Sequence, residues 1–197
     1  MRICFIGDSF TNGTGDDDAL GWPGRIVVRA RATGRDITYY NLGIRRDTSA
    51  DIAKRWREEV GRRLLPEHVK RLAFSFGAND CATENNAPRV PFEAALANTD
   101  TILRAAMTFA PTIMISPLPA ADDDAAVRRT RALAAAQEEL CETLGVPYLA
   151  AFDFIHGSAA WRDSAKRGDG VHPNREGYAA LADFIWTWPP LHRWLAA

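Results

Sequence analysis

Five short runs of β-forming residues alternate with longer amphipathic stretches, and this alternation constrains the fold more than any other feature of the chain. The runs cover residues 3–6, 37–41, 72–76, 112–116 and 147–152. Between them, Trp22, Ile26, Val27 and Ala30 recur on one helical face, and Thr48 with Asp51 forms a capping box ahead of Ile52 and Trp56. Residues 92–109, 125–144 and 176–186 carry the same helical spacing, the last stretch ending ahead of Pro189-Pro190. A helix after each strand returns the chain to the same end of a sheet, so the strands pair in parallel and helices cover both faces. The expected fold is therefore α/β, a three-layer α/β/α sandwich. With 197 residues and neither repeat nor linker, one domain over 1–197 is expected. In such sheets ligands bind beyond the carboxyl ends of the strands.

Composition narrows the function. Hydrophobic residues make up 47% and charged residues 25%, with a formal net charge of −1. Nothing global steers such a chain to nucleic acid or an anionic membrane, and no apolar run is long enough for membrane insertion. Cys4, Cys81 and Cys141 have no metal-ligand spacing and read as reduced thiols. With no signal peptide after Met1-Arg2, a cytoplasmic location is expected. The acidic runs 16–18 and 122–124 lack the alternating ligands of a calcium loop and read as solvated loops, so no metal is expected.

The first strand runs directly into Gly7-Asp8-Ser9-Phe10, placing Ser9 at the functional edge of the sheet. A serine hydroxyl is a poor nucleophile until a base takes its proton. His68 and His192 stand in bland surface contexts, whereas His156 and His172 each follow an aspartate by three residues. Asp153 is better explained as the cap of a short helix. Asp169-Gly170-Val171-His172 instead forms an irregular loop that can fold its carboxylate onto the imidazole, and His172 is preferred as the base. Acyl transfer also needs donors for an oxyanion. The Ser9 N–H, the Gly43 N–H after strand two and the Asn79 amide after strand three supply three, from three neighbouring strands. Asp8 is left out of this machinery, since a charge there would oppose an oxyanion; it is expected to bond to backbone. Trp22 is expected either at the pocket rim or facing the core.

In order and spacing these blocks resemble the SGNH hydrolases, the GDSL-type esterase and lipase superfamily. Gly7-Asp8-Ser9-Phe10 is similar to the first block, Gly43 to the second-block glycine, Gly77-Ala78-Asn79-Asp80 to the Gly-x-Asn-Asp block, and Asp169-Gly170-Val171-His172 to the last. The resemblance implies a flavodoxin-like sheet of five parallel strands. It also implies a cofactor-free Ser9–His172–Asp169 esterase with an oxyanion hole from Ser9, Gly43 and Asn79, acting on a small-molecule ester. Carbohydrate O-deacetylation and non-catalytic ligand binding by a flavodoxin-like domain are the competing readings. A nucleotide-binding domain is poorer, because no glycine-rich phosphate loop follows the first strand.

Arg45 and Arg46 depart from the small residues that many relatives carry there. They are expected to pair with Asp47, Asp51 or the 16–18 run; the other reading is that one binds a substrate carboxylate or phosphate. Trp186, Trp188 and Trp194 are expected to pack on the sheet or on another subunit of a homo-oligomer.

Overall fold

In β1 (Arg2–Gly7) successive side chains point to opposite faces, and both faces are buried: Ile3 and Phe5 on one, Cys4 and Ile6 on the other. A strand so enclosed reads as a continuous apolar run, which is what made it visible in the sequence. The computed structural model describes residues 1–120 and 124–196.

After β1 come α1 (Ser9–Asn12), α2 (Gly21–Ala32), β2 (Thr38–Gly43), α3 (Ser49–Gly61), β3 (Lys70–Ser75) and α4 (Ala78–Cys81). A two-strand hairpin, β4 (Thr83–Glu84) and β5 (Ala87–Pro88), leads to α5 (Phe92–Phe109), β6 (Thr112–Ile115) and α6 (Asp124–Leu144). The chain continues through β7 (Tyr148–Leu149), α7 (Phe152–Gly157), α8 (Ala159–Arg167), α9 (Arg175–Trp186) and α10 (Pro189–Leu195). The main sheet is parallel in the order β2-β1-β3-β6-β7. This is the expected three-layer α/β/α sandwich around a flavodoxin-like five-stranded sheet. Trp22 and Ile26 of α2, with Leu181 and Ile185 of α9, pack against Phe5 and Ile113. Ile52 and Trp56 of α3, with Ile102 and Leu103 of α5, cover Leu72 and Phe74 on the other face.

The capping box is present: the Asp51 carboxylate accepts the Thr48 N–H at 3.1 Å, and Thr48 Oγ accepts the Asp51 N–H. It fixes the end of the loop that carries Arg45 and Arg46. Three expectations are corrected. The fifth run forms a strand only at Tyr148–Leu149, because Ala151 N–H turns back to Leu149 O and to Ser116 Oγ before α7 begins. Asp153 does not cap α7; Ala151 holds that position, and Asp153 pairs with Arg131 at 2.9 Å. Asp16 is no solvated loop residue: it is buried, accepts N–H groups of Asp18, Leu20 and Gly21, and pairs with Arg25. Of the second acidic run, Asp124 opens α6, and Asp122 and Asp123 lie outside the described residues.

The three cysteines are buried and free. Trp194 is buried against Phe5, and Trp186 and Trp188 pack partly buried on the same cluster. Among the described residues no helix is long and apolar enough to cross a membrane.

Candidate active site

Ser9 is the first residue of α1, separated from the end of the interior strand β1 by Asp8 alone. Its N–H therefore has no intrahelical acceptor. Asp8 Oδ1 caps the helix by accepting the Phe10 N–H at 3.0 Å, so this carboxylate binds backbone as expected. Burial pushes the Asp8 pKa up to about 7, against the opposing pull of the Phe10 N–H and with help from the charge of Asp80.

From the far end of the sequence, the loop after α8 brings Asp169 and His172 to the same place. Asp169 Oδ1 accepts the N–H groups of Val171 at 3.0 Å and His172 at 2.8 Å, which winds the loop tightly. Its Oδ2 lies 2.6 Å from His172 Nδ1, and His172 Nε2 lies 2.8 Å from Ser9 Oγ. Burial raises the Asp169 pKa, but the hydrogen bonds from His172 and Val171 outweigh it and hold the group at about 2. An ionised carboxylate only accepts, so Nδ1 carries the imidazole proton and Nε2 offers its lone pair to Ser9. The Phe10 ring packs 5.3 Å from the imidazole and limits its movement.

These residues border a cavity of about 420 Å³ that Asn79, Arg45 and Arg46 also line. Asn79 stands in α4, directly after β3, and its Nδ2 donates one hydrogen to Asp47 O at 2.9 Å, leaving the other. Next to it Asp80, wholly buried, accepts both the N–H and the hydroxyl of Ser49. That pairing ties the Asn79 turn to the start of α3, and hence to the Arg45-Arg46 loop.

Gly43 is not brought into this group. It ends β2, its N–H is spent on Asn41 Oδ1 at 3.0 Å, and it does not line the cavity. What the position requires is absence of a side chain: a Cβ would lie 2.2 Å from Asn12 N and 2.7 Å from Asp8 O. The residue that sequence reasoning missed is Arg46 as a backbone group. Its φ is +73°, in the left-handed region, it lines the cavity, and its N–H has no acceptor among the described residues.

Trp22 does not reach the pocket rim, and its core-facing reading holds: it is 1% exposed, stands edge-on to Phe5 with centroids 5.3 Å apart, and belongs to the core. The arginines are ion-paired, but to other acids than expected. Arg45 Nη2 lies 3.2 Å from Asp169 Oδ2 and Arg46 Nη2 lies 3.3 Å from Glu84 Oε1. Asp47 is taken by Arg55, Asp51 by its capping box, and Asp16 by Arg25. His156 stacks on Phe152 and is remote from Ser9 in its contacts.

Solved structures share the fold. A lipase/acylhydrolase from Enterococcus faecalis superposes with a TM-score of 0.74 at 24% identity, covering 93% of this chain and 92% of that one. An acetylxylan esterase from Geobacillus stearothermophilus gives 0.76 at 20% identity, covering 100% and 94%. A member of the lipolytic protein G-D-S-L family from Veillonella parvula DSM 2008 gives 0.76 at 15% identity, covering 96% and 98%. No curated protein matches the sequence. The family model of GDSL-like lipases and acylhydrolases matches residues 5–180, a span that begins in β1 and runs past His172. By that match the chain belongs to the GDSL-like lipase/acylhydrolase family.

Proposed function

We propose that the protein is a serine esterase that cleaves a small acyl ester through an acyl-enzyme. The observation that carries this reading is the unbroken line from Asp169 Oδ2 to His172 at 2.6 Å and from His172 to Ser9 Oγ at 2.8 Å. Ser9 Oγ attacks the ester carbonyl as His172 Nε2 takes its proton. Asp169 fixes the tautomer and stabilises the imidazolium. The Ser9 N–H and the free hydrogen of Asn79 Nδ2 bind the oxyanion, with the Arg46 N–H as third donor in place of Gly43. His172 then protonates the departing alcohol and activates water to release the acid.

The test is a series of p-nitrophenyl esters of increasing acyl length, hydrolysed by the parent protein and by Ser9→Ala. The substitution is expected to lower kcat by about 10³-fold or more. Equal turnover by the two proteins would reject the esterase reading in favour of a binding domain. A sharp preference for acetate would favour carbohydrate O-deacetylation, the activity named for the acetylxylan esterase of the same fold.

A further inference from the structure

Arg45 and Arg46 stand at the cavity with side chains 60% and 69% exposed, and neither is locked into its ion pair. Each touches its carboxylate through one nitrogen, at 3.2 and 3.3 Å. Both acids are already shared. The Asp169 oxygen near Arg45 is the one held by His172 Nδ1, and its other oxygen takes two backbone N–H groups. Glu84 also faces Arg89, at 3.8 Å. Exposed single-contact pairs of this kind add little to folding stability. Most of the guanidinium donors in each pair are therefore uncommitted, and their planar fork matches a carboxylate that can accept two bonds at once.

The backbone adds an independent observation. Arg46 keeps a left-handed conformation at φ +73°, where glycine would be unstrained, and the residue lines the cavity. The rest of the lining is mostly small, with Ala78, Ala82 and Ala120 beside Thr83 and Thr130. A ligand fitting this surface has a short apolar part and an anionic end.

We propose that the esters this site selects carry a carboxylate, and that Arg45, assisted by Arg46, receives it by exchanging its contact with Asp169 for one with the substrate. The exchange leaves Asp169 Oδ2 to His172 alone when substrate is bound, so the substrate's charge and the readiness of the base are coupled. This inference rests on the esterase reading above and adds to it the class of substrate.

Matched p-nitrophenyl esters test it: the hemisuccinate, with a terminal carboxylate, against the butyrate, with a methyl at that end. They are compared in the parent protein, Arg45→Ala, Arg45→Lys and Arg46→Gly. The parent is expected to favour the hemisuccinate in kcat/KM, and the preference is expected to shrink as salt is raised. Arg45→Ala is expected to lower the ratio of the two kcat/KM values by about ten- to a hundredfold, chiefly through KM of the charged ester, with partial recovery in Arg45→Lys. Arg46→Gly, which keeps the backbone N–H, is expected to lower the ratio less. A ratio that none of these variants changes would overturn the inference while leaving Ser9-dependent hydrolysis of butyrate, and so the esterase reading, intact. If neither ester is cleaved, the esterase reading fails, and calorimetric titration of Ser9→Ala with succinate decides the binding claim by itself. Binding that is lost in the double variant with Arg45→Ala supports the anion site, and absence of binding rejects it.

Discussion

The carboxyl of Asp8, one residue from Ser9, is a group whose ionisation the fold opposes. Its folded pKa of about 7 lies above the ordinary 3.8, so between these values the folded protein holds a proton that the unfolded chain has released. Stability contributed by this group is full below 3.8, falls as pH rises, and is lost above 7. Asp169 has the opposite sign: held at about 2, it supports the fold above 3.8 and loses that support as pH falls toward 2. An asparagine at position 8 retains an oxygen for the Phe10 N–H without the buried charge. Asp8→Asn is therefore expected to raise Tm by roughly 3–10 °C near pH 8 and to give no gain near pH 4, read from paired thermal melts. A gain of equal size at both values would mean that the charge is not what the site resists. Asn79 poses a different single-residue question, because its amide both holds Asp47 O and offers a hydrogen to the cavity. Asn79→Ala is expected to lower kcat by about 10²–10³-fold with KM nearly kept, as for an oxyanion donor. Steady-state kinetics on one ester decide it; a change confined to KM would make Asn79 only a support for the loop.

At the scale of elements, α1 rests on β2 at Gly43, where no side chain separates the two backbones. Gly7 and Gly43 are register partners in β1 and β2, and Gly43 passes under the Asp8–Asn12 backbone. Asn41 stitches the two elements together, donating to Thr11 O and Asn12 O while accepting the Gly43 N–H. A methyl at position 43 has to push α1, and with it Ser9. Gly43→Ala is expected to cost about 1–3 kcal/mol of stability and to lower kcat together with it, measured by denaturant unfolding and by ester hydrolysis. Loss of activity with unchanged stability would return Gly43 to a direct part in the chemistry. This glycine also marks where the sequence stops being legible. Alternation and local spacing located all five sheet strands, and the Asp169-to-His172 loop declares itself because its hydrogen bonds join residues two and three apart. Whether a glycine serves a ligand or a neighbouring backbone depends on what lies across from it, which no local pattern records. The same holds for Arg45, whose acid is 124 positions away, and for Trp22, whose core-facing side is set by Phe5. The short edge strand β7 has no end visible in the sequence, because its apolar run continues into α7, where only the Ala151 turn divides strand from helix.

The whole molecule separates its chemistry from its fastening along the strand direction. Ser9, Asn79 and the Arg45-Arg46 loop follow the carboxyl ends of β1, β3 and β2. The carboxyl-terminal helix α10 closes the opposite end: Trp194 Nε1 donates to Pro111 O, ahead of β6, and its ring packs 6.4 Å from Phe5. Arg71, near the start of β3, meets the end of α10 by donating to Trp194 O and Ala196 O, so carbonyls left unpaired at a helix end receive a cation. Trp194 is 6% exposed, and removing its ring leaves a void that the sheet and α10 cannot both close. Trp194→Ala is expected to cost about 3–5 kcal/mol of unfolding free energy and to lower Tm accordingly. Hydrolysis by the folded fraction well below Tm is expected to keep its kcat, because Trp194 packs on Phe5 and Pro111 and, among the described residues, does not line the cavity. Denaturant unfolding and kcat measured on the same preparation test the separation directly. A kcat that falls in proportion to stability while the protein is still fully folded would mean that the two ends of the sheet are mechanically coupled.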